Sequence, residues 1–317
     1  MSTAPAVDPQ IAESISSDPM LLKGLAAADI PEIRSTMLAA ARHVALSDAV
    51  ARMDVAVPGP AGAPNVVMRV HRPRGVDRPL PCLFAIHGGG YILGNYEVED
   101  QRFDKWVPQL GVIGVSVDYR LAPETSYPGP IDDCFAGLSW IFDHAEDLGI
   151  DPTRIGMMGT SAGGGMAAAL AVRAREVGSL PIAFQLLAYP MIDDRQLTVS
   201  STWQNVPVWD AVSNALGWRS YLGDLYGTDQ IPADAAIARA TDLSGLPPTF
   251  ISVGTADVIC DENVEFAQRL YQAGVPTELH LYAGGPHGLD RRATGTDLSR
   301  RSRRDMLAWL SAQLGHR

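Results

Sequence analysis

The chain has 317 residues, 46% of them hydrophobic and 19% charged, a composition typical of a globular protein and not of a disordered or fibrous one. Its formal net charge of -11 argues against nucleic acid and anionic membranes as partners, because both would repel it. The length favours one large domain with an appendage.

Helical patterns open the chain and return later. Residues 1–50 show helical periodicity before any strand signal, and residues 189–246 are again helical and irregular. We predict that these two segments form a helical cap over one end of a sheet. The core would then consist of residues 51–188 and 247–317.

Between the cap segments, short runs rich in β-forming residues alternate with helical patterns. This alternation predicts βαβ units and an α/β fold, with a mostly parallel central sheet flanked by helices. Several runs are apolar throughout, as expected where helices cover both faces of a sheet. The predicted strands are CLFAIHG, VIGVSVDYR, RIGMMG, IAFQLLAYP, TFISVG and TELHLYAG.

The number and spacing of the cysteines indicate the cellular compartment of the protein. Cys82, Cys134 and Cys260 are odd in number and far apart, which fits neither a disulfide framework nor a zinc site. The N-terminal residues show no signal-peptide pattern, and no segment approaches the ~18 apolar residues of a membrane span. The sequence therefore predicts a cytoplasmic protein without stable membrane insertion.

A candidate nucleophile lies in GMMGTSAGGGMAAA. Gly159-Thr-Ser161-Ala-Gly163 stands between a short apolar strand and an Ala-rich helix, the setting that the G-x-S-x-G nucleophile elbow requires. The two glycines would leave room for a sharp turn with an outward-pointing serine. The motif alone is weak, since a phosphate-binding turn would look similar.

A serine nucleophile needs a base and an orienting acid, which follow it in the order Ser, Asp, His in this type of fold. Asp257 follows the run TFISVG, and His287 follows TELHLYAG in a loop between a proline and a glycine. Asp261 and Glu262 compete with Asp257, but they begin the next helix and resemble first-turn acids favoured by the helix dipole. The predicted triad is therefore Ser161, Asp257 and His287.

The run HGGGY follows a predicted strand, and its glycines would weaken a helix or a strand. A glycine loop at a strand end can expose backbone N–H groups to a developing oxyanion, and the residue after the nucleophile adds another. We assign Gly89, Gly90 and Ala162 to this oxyanion hole. Gly88 would supply turn geometry, and His87 is interpreted as a structural residue.

Taken together, these motifs resemble the hormone-sensitive-lipase family of α/β-hydrolases, also called bacterial family IV esterases. The resemblance covers residue 55 to the C-terminus and rests on HGGGY, DYRLAPE, GTSAGG, DVICDE and AGVPTELHLYAGGPHG in that order. Threonine before the serine is similar to one branch of the family. The resemblance implies an eight-stranded α/β-hydrolase sheet, a helical cap, and hydrolysis of short acyl esters without a cofactor or metal.

Two departures from the family pattern and two further expectations accompany this resemblance. DVICDE replaces the usual DPLRDE, and HGL replaces HGF, although both changes keep the predicted acid and base. Asp118, Arg120 and Glu124 of DYRLAPE are expected to form a buried polar network beside the glycine loop. C-terminal elements often contribute to dimers in this family, so a homodimer is a further expectation.

The sequence says least about the substrate. Tyr91, beside the glycine loop, and Trp209 and Trp218, in the cap segment, are candidates for an apolar wall around the substrate. The alternative is that these aromatic residues pack the cap onto the sheet.

Three hypotheses about function follow from these residues. The first is a serine carboxylesterase for short- to medium-chain esters, acting on a small-molecule substrate through an acyl-enzyme. The second uses the same triad on amides, lactones or acetylated compounds. The third is a ligand-binding relative without catalysis, which such receptors achieve by replacing the histidine that this chain keeps at position 287.

Overall fold

Eight strands form one central sheet in the computed structural model, which describes residues 3–16 and 22–315. Their order across the sheet is β1-β2-β4-β3-β5-β6-β7-β8. The strands are β1 (Val50–Val57), β2 (Val66–Pro73), β3 (Leu80–Ile86), β4 (Ile113–Asp118), β5 (Ile150–Thr160), β6 (Gln185–Ala188), β7 (Thr249–Gly254) and β8 (Thr277–Tyr282).

The pairing is antiparallel at one edge and parallel elsewhere. β2 pairs antiparallel with both β1 and β4, and every pair from β4 and β3 through to β8 is parallel. All residues of β3, β6 and β7 are buried, because helices cover both faces of the sheet there. The predicted α/β fold with a mostly parallel central sheet is confirmed.

Helices flank this sheet and connect its parallel strands. They are α1 (Pro9–Ile15), α2 (Ile30–Arg42), α3 (Asp100–Leu110), α4 (Gly129–Asp143), α5 (Ala162–Val177), α6 (Ala211–Leu222), α7 (Cys260–Gln272) and α8 (Asp297–Gln313). In the described ranges, no helix is long and apolar enough to cross a membrane.

The two segments predicted to form the cap contact each other. Leu22 pairs with Trp209 in an isolated parallel bridge, and the N–H of Gly24 donates to the Asp210 carboxylate at 3.0 Å. The N–H of Leu25 donates to Ser213 Oγ at 3.2 Å. These contacts join the chain before α2 to the start of α6, while the division into cap and core stays a prediction.

The expected buried network of DYRLAPE is wrong. Glu124 is 64% exposed and pairs with Arg34 of α2, while Arg120 pairs with Asp133 of α4 at 2.7 Å. Among the described residues, the Asp118 carboxylate accepts a single, long hydrogen bond of 3.4 Å, from the N–H of Tyr96. The three side chains diverge because each finds its partner on a different element.

Candidate active site

The predicted catalytic and oxyanion-hole residues all follow the carboxyl ends of parallel strands. The glycine loop comes after β3, Ser161 after β5, Asp257 after β7 and His287 after β8. In a parallel sheet these strand ends lie along one edge, where open α/β sheets bind their ligands. The sheet topology therefore accounts for how residues 126 positions apart come into contact.

Ser161 lies in a strained turn between β5 and α5. Its backbone has φ 54° and ψ -122°, a region that residues other than glycine rarely occupy. A Cβ on Gly159 would lie 2.2 Å from the carbonyl oxygen of Gly163, and a Cβ on Gly163 would lie 2.1 Å from that of Ile86. Neither glycine can carry a side chain without moving the turn.

The three predicted catalytic side chains form a continuous hydrogen-bonded chain. His287 Nε2 lies 2.9 Å from Ser161 Oγ, and His287 Nδ1 lies 2.8 Å from Asp257 Oδ2. Asp257 is fully buried, and its other oxygen accepts from the N–H of Ile259 at 3.2 Å. This carboxylate therefore fixes which way the imidazole faces.

The competing acids have other roles. Asp261 accepts a hydrogen bond from the N–H of Ser200, and Glu262 accepts from the N–H groups of Ile192 and Asp193. Both lie in the first turn of α7, as the sequence predicts. Over residues 3–16 and 22–315, no three His, Cys, Asp or Glu side chains are grouped to hold a metal ion.

The glycine loop approaches the serine closely. A Cβ on Gly88 would lie 2.7 Å from the carbonyl oxygen of Thr160, and Gly89 and Gly90 have φ 128° and 59°. In the part of the chain that the structure describes, no hydrogen bond is donated by the N–H of Gly89, Gly90 or Ala162. These three N–H groups are therefore available to a ligand at the site.

His87 has a structural position. Its ring is buried, Nδ1 lies 2.8 Å from the carbonyl oxygen of Gly88, and it stacks on Tyr119 with ring centroids 4.2 Å apart. Burial lowers the pKa of His87 to about 4, so the ring is neutral at pH 7. The Tyr119 hydroxyl donates to the His87 carbonyl oxygen at 2.9 Å and thus helps to position the glycine loop.

A cavity of about 200 Å³ opens onto Ser161 and His287. Trp209 lines it, and the Trp209 indole N–H donates to Asn214 Oδ1 at 3.1 Å. A Cβ on Gly90 would lie 2.3 Å from the Trp209 ring, so the ring covers the glycine loop directly. Trp209 thus occupies the position predicted for a substrate-contacting residue.

Tyr91 and Trp218 lie elsewhere. Both are buried behind the glycine loop, with ring centroids 5.1 Å apart, and neither lines the cavity. The Tyr91 hydroxyl donates to the Met191 carbonyl oxygen at 3.1 Å. Their interpretation as a substrate wall is therefore not kept, and they pack α6 against the glycine loop instead.

Sequence reasoning missed most of the apolar lining. Tyr189 lies edge-on to the His287 ring, 4.9 Å between centroids, and its hydroxyl donates to Asp290 at 2.6 Å. Its position at the end of β6 was the one available signal. The other missed lining residues are Leu22, Met37, Val98 and Val208.

Comparison with known proteins identifies the family. A family model described as alpha/beta hydrolase fold matches residues 83–291. The chain belongs to this family. The assignment to its hormone-sensitive-lipase-like members is confirmed, while the branch defined by threonine before the serine stays a prediction.

Relatives and solved structures agree with this assignment. Esterase LipI of Mycobacterium tuberculosis is 36% identical over 239 residues, which cover 74% of each chain. Carboxylesterase NlhH of the same species is 38% identical over 240 residues, 75% of each chain. A structure named bacterial heroin esterase superposes with a TM-score of 0.91 at 39% identity over 98% of both chains. Esterase LipW from Mycobacterium marinum has a TM-score of 0.86 at 33% identity and the same coverage.

Proposed function

We propose that the chain is a serine carboxylesterase in which Ser161 is the nucleophile, His287 the general base and Asp257 the orienting acid. The N–H groups of Gly89, Gly90 and Ala162 form the oxyanion hole. The observation that carries this proposal is the unbroken hydrogen-bonded chain from Asp257 through His287 to Ser161, at 2.8 and 2.9 Å. The esterases among its relatives support the same reaction class.

The first half of the reaction forms an acyl-enzyme. His287 Nε2 takes the hydroxyl proton as Ser161 Oγ attacks the ester carbonyl carbon, and Asp257 stabilises the resulting imidazolium. The carbonyl oxygen becomes an oxyanion that accepts hydrogen bonds from the three free N–H groups. When the tetrahedral intermediate collapses, the bond to the alkoxy oxygen breaks, and His287 returns its proton to the departing alcohol.

The second half releases the acid. A water molecule gives a proton to His287 Nε2 as its oxygen attacks the acyl carbon, which regenerates the oxyanion in the same hole. Collapse then breaks the bond to Ser161 Oγ, which recovers its proton from His287. The carboxylic acid leaves and the free enzyme is restored.

The size of the cavity supports short acyl groups. Its volume of about 200 Å³ is below the ~300–1,000 Å³ of pockets that enclose drug-sized ligands. Trp209 and Val208 of the cap segment border it on one side. No contact among the described residues favours amides or lactones over esters, and the complete triad argues against a binding protein without catalysis.

The test is hydrolysis of 4-nitrophenyl esters from acetate to palmitate by the wild type and by Ser161→Ala. We expect kcat/KM to peak at short acyl chains, and kcat to fall by roughly 10⁴ or more in the variant, because triad members act as a unit. Far-ultraviolet circular dichroism checks that the variant is folded. Equal turnover by a folded Ser161→Ala variant would contradict the mechanism.

Two further expectations concern the cellular compartment and the oligomeric state. Cys82, Cys134 and Cys260 are buried and unbonded, which supports a reducing, cytoplasmic compartment. β8 is an edge strand with Leu279 and Leu281 partly exposed, a surface suited to a homodimer. Light scattering coupled to gel filtration would decide between a monomer and a dimer.

A further inference from the structure

A second cavity adjoins the catalytic one. Its volume is about 350 Å³, and it lies between α2, α3 and the chain around residues 290–294. Met37, Val98 and Arg291 line both cavities, so the two cavities are direct neighbours. A substrate that is bound at Ser161 and is long enough to pass these three side chains would place its unreactive part in the second cavity.

Four cations line this second cavity. Arg102 and Arg291 are matched by carboxylates: Arg102 lies 2.6 Å from Asp290, and Arg291 is paired with the buried Glu99. One nitrogen of the largely buried Arg102, Nη1, has no hydrogen-bond acceptor among the described residues, since Glu99 Oε2 is 3.6 Å away. The two remaining cations are Lys105 and Arg303.

These two cations form no ion pair in the described ranges. Arg303 donates to the carbonyl oxygens of Asp290 and Thr294, at 2.8 and 2.6 Å, and to Ser299 Oγ at 2.8 Å, all of them neutral acceptors. Burial and the nearby cations lower the pKa of Arg303, although Asp290 partly offsets them. Lys105 is exposed at the cavity and forms no ion pair in that same part of the chain.

The excess of positive charge around the second cavity is unusual for this protein. The protein as a whole carries a formal charge of -11, so a local surplus of cations beside the catalytic cavity is not a general property of its surface. Cations without partners around a cavity bind anions, and arginine in particular matches the geometry of a carboxylate.

We propose that this second cavity binds a carboxylate of the substrate, so that the enzyme prefers esters with a negative charge remote from the ester being hydrolysed. Lys105 and Arg303 supply the charge. The proposal rests on the function proposed above, because it places the reacting ester at Ser161. It adds the chemical class of the substrate to the reaction.

The experiment compares substrates that differ only in charge. One pair carries the charge on the acyl side: the mono-4-nitrophenyl ester of adipate and that of adipic monoamide. The other carries it on the alcohol side: 4-acetoxybenzoate and 4-acetoxybenzamide. For each pair, the quantity measured is the ratio of kcat/KM for the carboxylate to kcat/KM for the amide.

In the wild type we expect this ratio to be about ten in at least one pair, the range of a charge-assisted hydrogen bond. Added salt should lower it, because salt screens exposed charges. Lys105→Gln should bring the ratio towards one, and Lys105→Glu below one. Arg303→Gln is a second variant with the same expected direction.

Arg78→Gln is the matched control, since it removes the same charge from an exposed position before β3 and should leave the ratio unchanged. A wild-type ratio of one or less in both pairs would overturn the proposal, as would equal ratios in Lys105→Gln, Arg303→Gln and the wild type. Inhibition by free adipate without a preference for carboxylate substrates would also overturn it, by assigning the cavity to the product acid. If the wild type hydrolyses the ester bond of the two uncharged, amide-bearing substrates and Ser161→Ala does not, the proposed esterase function stands in each of these cases.

Discussion

At the scale of single residues, the backbone around Ser161 is as specialised as its side chain. The serine keeps φ 54° because Gly159 and Gly163, two residues away on either side, lack side chains and because its own N–H donates to the Ala188 carbonyl oxygen at 2.9 Å. Gly163 allows α5 to start directly against the end of β3. The nucleophile is thus exposed to the cavity by the packing of three elements.

Gly163→Ala should disrupt this packing. The new Cβ would lie 2.1 Å from the Ile86 carbonyl oxygen and 2.4 Å from that of His87, both of them backbone atoms that cannot rotate away. We expect the free energy of unfolding to fall by about 1–3 kcal/mol, as for other overpacked sites, and kcat to fall at least tenfold. Urea unfolding and ester hydrolysis measure the two effects.

Gly295→Ala serves as the control for this prediction. A Cβ at Gly295 would meet no atom within 4 Å, so the stability should stay within about 0.5 kcal/mol of the wild type. Wild-type stability and activity in Gly163→Ala would show that the helix start can shift without cost.

At the scale of elements, Arg34 is one of two arginines that tie α2 to the rest of the protein, the other being Arg42, which pairs with Glu97 at 2.9 Å. Arg34 Nε donates to the Ile92 carbonyl oxygen at 2.8 Å, and Nη2 donates to that of Ala122 at 2.7 Å. Its pair with Glu124 is the exposed part of the same contact. Because α2 contributes Met37 to both cavities, Arg34 connects the position of α2 to substrate binding.

Arg34→Ala should therefore loosen α2. We expect faster hydrogen exchange in residues 30–42, a several-fold higher KM for short esters, and a smaller change in kcat, because the triad does not contact Arg34. Glu124→Gln is the control: it removes an exposed ion pair but keeps both carbonyl contacts, so its effect should be within about 1 kcal/mol. Unchanged exchange in α2 of Arg34→Ala would contradict this role.

The elements also show what the sequence could predict. The six strands read from β-rich runs are all present: β3, β6 and β7 are buried throughout, whereas β8 is a half-exposed edge strand. The order of motifs placed Ser161, Asp257 and His287 after the ends of strands. β1 and β2 were not recognised individually, since β1 is an edge strand with half-exposed residues. Leu22, Met37 and Val98 line the cavity only through the packing of distant segments, which no local pattern encodes.

At the scale of the whole molecule, an acidic protein must place its carboxylates where they do not oppose folding. Most of its buried acids have a basic partner, as Glu99 does in Arg291 and Asp133 in Arg120. Glu262 is different, because it is 3% exposed, and its Oε2 has no hydrogen-bond partner among the described residues. Burial raises the pKa of Glu262 well above 4.5, and the nearby Asp193 and Asp257 raise it further.

This buried acid predicts how the stability of the whole protein depends on pH. Because the pKa of Glu262 is higher in the folded state than in the unfolded state, its contribution to stability is complete below about pH 4.5 and is lost as the pH rises towards the folded pKa. Glu262→Gln keeps an oxygen to accept from Ile192 but cannot ionise. The free energy of unfolding of the wild type, relative to that of Glu262→Gln, should therefore decrease from pH 5 to pH 8 by at most about 1.4 kcal/mol per pH unit.

Urea unfolding at each pH measures this difference. The control is Glu265→Gln, at an exposed position on the same helix, whose difference from the wild type should not change with pH. A difference for Glu262→Gln that is equally flat would mean that the Glu262 carboxyl is already ionised in the folded protein at pH 5.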